Sequence, residues 1–149
     1  MSLTWAHWIV VSTTAAAVIA CVLLHYEVLR FISATLPHTL PQRRRAVVGV
    51  ILGLLAVHIA EIWIFAGCYY LLLQAEGFGE LIGLASVTLL DCAYYSAVVF
   101  TTLGFGDIIP SGHIRFVTGT EAIAGLTFIT WSASFTFVTM SQAWGDSSR

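Results

Sequence analysis

The chain contains no lysine and little charge of any kind. Six arginines and eight acidic residues make up 9% of its 149 residues, against 58% hydrophobic. A soluble domain carries about 25% charged residues, so this supply cannot cover a globule in water, and a water-soluble monomer is excluded. The longest basic run, Arg43–Arg44–Arg45, is too short for a nucleic-acid footprint, and no nucleic-acid partner is expected. Cysteine is equally sparse. Cys21, Cys68 and Cys92 stand singly in apolar stretches without CxxC or Cys/His spacing, which reads as small buried hydrophobes. No HExxH, P-loop, dinucleotide fingerprint or nucleophile–base pattern is present, so neither an enzyme nor a small-molecule substrate is expected.

What the chain has is long apolar runs. Leu3 to Leu24 is free of formal charge, Ala46 to Leu73 carries only Glu61, and Phe116 to Met140 carries only Glu121. Each is long enough for a hydrocarbon core of about 30 Å, which needs roughly 20 helical residues. A signal peptide is the weaker reading of the first run, because no Lys or Arg precedes it. Pro37 and Pro41 are expected to end that segment. Between the second and third runs, Leu81 to Leu90 and Cys92 to Thr102 are apolar but too short to cross, and read as interfacial or re-entrant pieces. Arg30, Arg43, Arg44, Arg45 and Arg149 fall on one side of this three-span layout, and Arg115 on the other. The arginine-rich side is expected in the cytoplasm, with the N-terminus outside. Trp5, Trp8 and Trp144 lie where interfacial aromatics belong.

The informative stretch runs from Tyr94 to Asp107 and ends in Thr101-Thr102-Leu103-Gly104-Phe105-Gly106-Asp107. Non-helical backbone at membrane depth is tolerated only where it is buried in protein or lines a watery path. Glycines at alternate positions permit positive φ. Alternating backbone handedness turns successive carbonyls to one side, and four such strands around an axis make oxygen rings that can replace a cation's water shell. A helix over roughly Cys92 to Thr101 would aim its negative end at that axis, with Asp91 at the opposite pole.

These seven residues resemble the selectivity-filter signature of tetrameric potassium channels. The likeness extends over roughly Ala46 to Met140 and is closest to small prokaryotic two-transmembrane, two-pore-like channels, with one extra N-terminal helix. The resemblance implies a homotetramer in which Thr102, Leu103, Gly104 and Phe105 supply the K⁺ oxygens, K⁺ being the transported ion. Thr101, Gly106, and a Tyr95–Asp107 hydrogen bond behind the filter would support it. Phe105 between the glycines is the potassium-selective form. One departure stands out: the pore-helix glutamate that some of these channels pair with the filter aspartate is Val98 here. Gly125 aligns with the inner-helix hinge, with close helix packing an equal reading. Leu126, Ile129, Ala133 and Phe137 fall near one face of that helix, Phe137 as candidate constriction.

A carboxylate mid-membrane costs about 2.5–3.5 kcal/mol on insertion scales. Glu61 therefore needs a partner, and His58, one turn earlier, can share a hydrogen bond with it. Glue between the outer and pore helices is favoured for this pair over pH-responsive gating. Glu121 is expected to bond the back of the pore helix or filter, partly replacing the carboxylate missing at Val98; a pair with a neighbouring subunit's Arg115 competes. His7, His25, His38 and His113 read as interfacial or loop residues rather than metal ligands. No arginine ladder is present, so no voltage sensor is expected, and with only a short stretch after Met140 no nucleotide- or calcium-binding domain is expected.

The sequence thus predicts an all-α membrane protein, three transmembrane helices plus a re-entrant pore helix and selectivity filter, assembled as a tetramer in the plasma or inner membrane. Residues 1–45 form the N-terminal helix and cytoplasmic connection, and 46–149 the pore module. Its partners are itself and the bilayer. The alternatives are a non-conducting accessory subunit, or an ion-coupled transporter working through Glu61 and His58.

Overall fold

The computed structural model describes residues 5–35 and 40–144, excluding the side chains of 40–45, 143 and 144. The expectations for Pro37, His38, Arg149 and the side chains of Arg43–Arg45 and Trp144 fall outside the described residues. Four helices appear in order: α1 (Trp5–Thr35), α2 (Leu40–Leu73), α3 (Leu89–Phe100) and α4 (Arg115–Trp144). Two-residue strands β1 (Leu81–Ile82) and β2 (Ile109–Pro110) flank α3, and a single 3₁₀ turn, Gly112–Ile114, leads into α4. Three helices are long and apolar enough to cross a membrane. This is an all-α membrane protein.

Helix is the economical solution for the long runs because every backbone polar group is satisfied within the segment. Their hydroxyls follow the same rule. Thr14, Thr127, Thr130, Ser134 and Thr139 each donate to the carbonyl four residues back, at 2.6–2.9 Å. Helix α2 starts at Leu40, so Pro41 opens a helix instead of ending one. In the first turn its missing N–H costs nothing.

Helix α3 is held between α2 and α4, and α1 lies along the outside of both. Phe65, Ala66 and Tyr69 of α2 meet Cys92, Tyr95 and Phe100 of α3 and Val117 and Phe128 of α4 in one buried cluster. The buried line of α1, Ala6-Val10-Thr14-Ala17-Cys21-His25-Leu29, recurs every three or four residues and is mostly small, which lets the helix approach closely.

Helix α3 begins with a capping box. Thr88 Oγ1 accepts from the Asp91 amide at 3.2 Å, while Asp91 Oδ2 accepts from the Thr88 amide at 3.0 Å and its hydroxyl at 2.6 Å. Those donors, the hydroxyl first, hold the Asp91 carboxyl below its ordinary value. The expected acid at the positive pole of this helix is in place.

Leu81 to Leu90 is not one apolar piece, as the sequence suggested. Leu81–Ile82 pairs antiparallel with Ile109–Pro110, and the chain then turns to reach the Thr88 cap. The backbone takes this course because its polar groups find partners across the gap: Ser111 N donates to Glu80 O at 2.9 Å and Ile114 N to Phe78 O at 3.0 Å. Gly83 (φ +112°) permits the approach, since a Cβ there would lie 2.3 Å from the Asp107 carbonyl.

Gly125, within α4, likewise has no room for a side chain. A Cβ on it would sit 2.2 Å from the carbonyl oxygen of Phe100, the last residue of α3. The packing reading of Gly125 is therefore met directly: α4 and the end of α3 touch backbone to backbone. Gly125→Ala should destabilise the protein by about 1–3 kcal/mol, as overpacking does. Gly49→Ala, at an exposed helical site with open space around it, should be neutral or gain up to about 1 kcal/mol. Thermal melts in detergent compare the two.

Candidate functional site

The site begins where α3 runs out. Thr101 caps the helix and its hydroxyl donates to Ala97 O at 2.7 Å. The next amides turn back onto the helix: Thr102 N to Val99 O at 2.9 Å, Leu103 N to Val98 O at 3.0 Å and Gly104 N to Val98 O at 3.5 Å. Beyond that point φ is positive at every second residue, +56° at Thr102, +59° at Gly104 and +79° at Gly106.

Thr102 is the only non-glycine residue with positive φ among those described. A left-handed conformation costs an L-residue about 1–2 kcal/mol, and a β-branched one is a genuine outlier. Such strain persists where the surroundings over-determine it, and here the Thr102 and Leu103 amides anchor the segment to α3. Around Gly104 and Gly106 nothing lies within 4 Å of where a Cβ would be. Glycine is thus required at both by backbone conformation, not by crowding. Leu103 and Phe105 project from the chain, 57% and 63% exposed.

Asp107, at the far end of the segment, accepts from the hydroxyl of Tyr94 at 2.7 Å. The partner expected from the resemblance was Tyr95, and that expectation is corrected. Successive helical residues point about 100° apart, so Tyr94 faces the glycine segment and Tyr95 faces inward. Tyr95 is buried, bonds Thr118 Oγ1 at 3.0 Å and packs edge-on against Tyr69.

Glu121 is buried on α4 and reaches α3, as expected. Tyr69 donates to its Oε2 at 2.6 Å, and Ser96 Oγ, on α3, lies 2.5 Å from its Oε1. Ser96 also lies 2.9 Å from the Ile62 carbonyl. One hydroxyl hydrogen cannot serve both acceptors, whereas a carboxylic acid at Glu121 donates to Ser96 and leaves that hydrogen for Ile62. The network then links α2, α3 and α4 without placing a net charge in the membrane. It lies on the Ser96 face of α3, away from Val98.

Glu61 also has its expected partner and one more. His58 Nδ1 lies 3.0 Å from Oε2, and His25 Nδ1 of α1 lies 2.9 Å from Oε1. Ser132 of α4 stands 3.4 Å from His25 Nε2. His25 is fully buried among Phe128, Trp131 and His58, so its reading as an interfacial or loop residue is wrong. The helix fastened to α2 by this cluster is α1, not the pore helix. An available signal was the place of His25 in the line of small residues that forms the inner stripe of α1. His7 and His113 meet ring to ring at 4.2 Å, joining the start of α1 to the 3₁₀ turn.

Along α4, Leu126, Ile129, Ala133 and Phe137 are all exposed in the single chain, Phe137 by 71%. With Leu55 and His58 of α2, the last three line an apolar groove of about 540 Å³.

A family model described as an ion channel matches residues 57–142, more than half of the chain. The chain belongs to this ion channel family. The matched segment holds the second half of α2, all of α3, the glycine segment and nearly all of α4, and leaves α1 outside. No curated protein and no solved structure matches the chain.

The hydrogen count at Glu121 makes a sharp prediction. A glutamine there reproduces the acid form, its amide donating to Ser96 and its oxygen accepting from Tyr69, so Glu121→Gln should keep its melting temperature within a few degrees. Glu121→Ala, which leaves buried donors unpaired, should lose about 1–3 kcal/mol. Equal losses in the two variants, measured by thermal melts in detergent, would show that the carboxylate form is the one bound.

Proposed function

We propose that this ion channel is potassium-selective, with four copies arranged so that Thr102 to Phe105 lines the shared axis. The observation that carries the reading is the alternation of φ at Thr102, Gly104 and Gly106, with the amides of 102–104 drawn back to α3. That alternation brings successive carbonyls to one side. One chain supplies one ladder of oxygens, and several ladders facing each other replace a cation's hydration shell. The negative end of α3 lies beneath them and favours a cation. Tyr94 and Asp107 tie the outer end of each ladder to its own helix.

In this mechanism K⁺ exchanges water for the oxygens of Thr102, Leu103, Gly104 and Phe105, and ions advance by knock-on between adjacent sites. The gradient supplies the free energy. Leu126, Ile129, Ala133 and Phe137 line the path on the inner side, with Phe137 the narrowest apolar ring, which gates by dewetting. The N-terminus faces outward and the C-terminus lies in the cytoplasm of a plasma or inner membrane, in keeping with the arginine distribution.

The purified chain in liposomes carrying a K⁺ gradient tests the reading. Expected are K⁺ flux that exceeds Na⁺ flux and a tetramer by native mass spectrometry in detergent. Gly104→Ala should cut flux at least tenfold in an otherwise folded assembly, because alanine is strained at φ +59°. Wild-type flux from that variant, or none from the wild-type tetramer, would overturn it. Tyr94→Phe removes the hydroxyl on Asp107 and should shorten open dwell times in single-channel records, while Tyr95→Phe should not.

A further inference from the structure

His25, His58 and Glu61 join α1 to α2, and their donor atoms lie within 4.8 Å of one another. Two imidazoles and one carboxylate are a ligand set that suits zinc. We propose that this cluster is a binding site for a borderline-soft divalent ion of the Zn²⁺ class, held by His25 Nδ1, His58 Nδ1 and a Glu61 oxygen. The site lies inside the membrane span and apart from the Thr102–Phe105 segment.

The three donors already converge. Ligand bonds to zinc run about 2.0–2.2 Å, which sets tetrahedral neighbours roughly 3.4 Å apart. The two nitrogens now stand 2.9 and 3.0 Å from different oxygens of the one carboxylate and all three ligand atoms lie within 4.8 Å of one another, so side-chain rotation that draws both rings onto one oxygen admits the ion. Both nitrogens use the same ring position, Nδ1, and Ser132 lies beside the far nitrogen of His25. A partner there fixes the orientation and tautomer of a ligating imidazole. Glu61 supplies one negative charge, which an uncompensated carboxylate at this depth makes costly.

Access is through His58. Its side chain is 17% exposed while those of His25 and Glu61 are closed. It opens on the groove of about 540 Å³ between α2 and α4. Of the three cysteines, Cys21 is on α1 one turn before His25; soft as it is, it lies outside this cluster of donors.

Bound metal would pin α1 to α2 through ligands that hydrogen bonds now join, and Ser132 would carry the effect to α4, one face of which lines the groove. The inference is independent of the potassium reading, since metal binding is measured without ion flux.

The test is titration of the purified full chain in detergent with Co²⁺, followed by visible absorption, and displacement by Zn²⁺. One Co²⁺ per chain with the intense absorption of a tetrahedral site is expected, retained when Cys21, Cys68 and Cys92 are all replaced by serine. His58→Ala, at the open edge of the cluster, should weaken binding at least tenfold while eluting as wild type on gel filtration. Should His58→Ala fail to fold, His58→Gln takes its place with the same expected loss. Absence of saturable Co²⁺ binding by the wild-type chain overturns the proposal, as does binding that survives the histidine substitution or vanishes with the cysteines alone.

Discussion

Everything in this molecule follows from the demand that backbone N–H and C=O groups find partners where no water is available. The long segments answer it by being helices, and their serine and threonine hydroxyls answer it by bonding one turn back. Among the described residues, the seven after α3 leave helical geometry, and their first amides are held against the helix they leave. The Thr102 and Leu103 amides anchor to Val99 and Val98. The strain at Thr102 is the cost of leaving the helix in that way.

A short helix ending inside the membrane needs support from every direction, and the core is arranged to give it. Gly125 brings the α4 backbone against the last α3 carbonyl, the Glu121 network pins α3 from behind, and the capping box closes its start. The few charged residues therefore serve as fasteners. Asp91 binds the amide that begins α3, Asp107 takes the tyrosine facing it, and Glu61 and Glu121 each join separate helices.

Much of this was legible in the sequence. The three spans and the acid at the helix start follow from hydropathy and the helix dipole, both local properties. The alternation at Thr102, Gly104 and Gly106 was readable because glycine at alternate positions has a backbone meaning whatever its neighbours. Which tyrosine faces Asp107 was not readable, since that depends on how α3 is rotated against α2 and α4, and neighbouring tyrosines differ only in helical phase. His25 was missed for a related reason. A contact between residues 25 and 61 joins two helices through a face that composition leaves undefined. The strands near Leu81 are set by a pairing with Ile109–Pro110 beyond the glycine segment, and an apolar run by itself does not say whether it will pair or coil.

The position of the matched segment gives the His25–Glu61 contact a wider meaning. The family resemblance starts at Val57 and does not reach α1, yet the carboxyl at position 61, within it, has one of its two imidazole partners on α1. A module transplanted without that helix would carry into lipid a carboxyl deprived of half its ligands, together with the uncovered flanks of α2 and α4. In this protein the extra helix is therefore a structural dependency of the matched segment, and portability of that segment ends where the buried histidine begins.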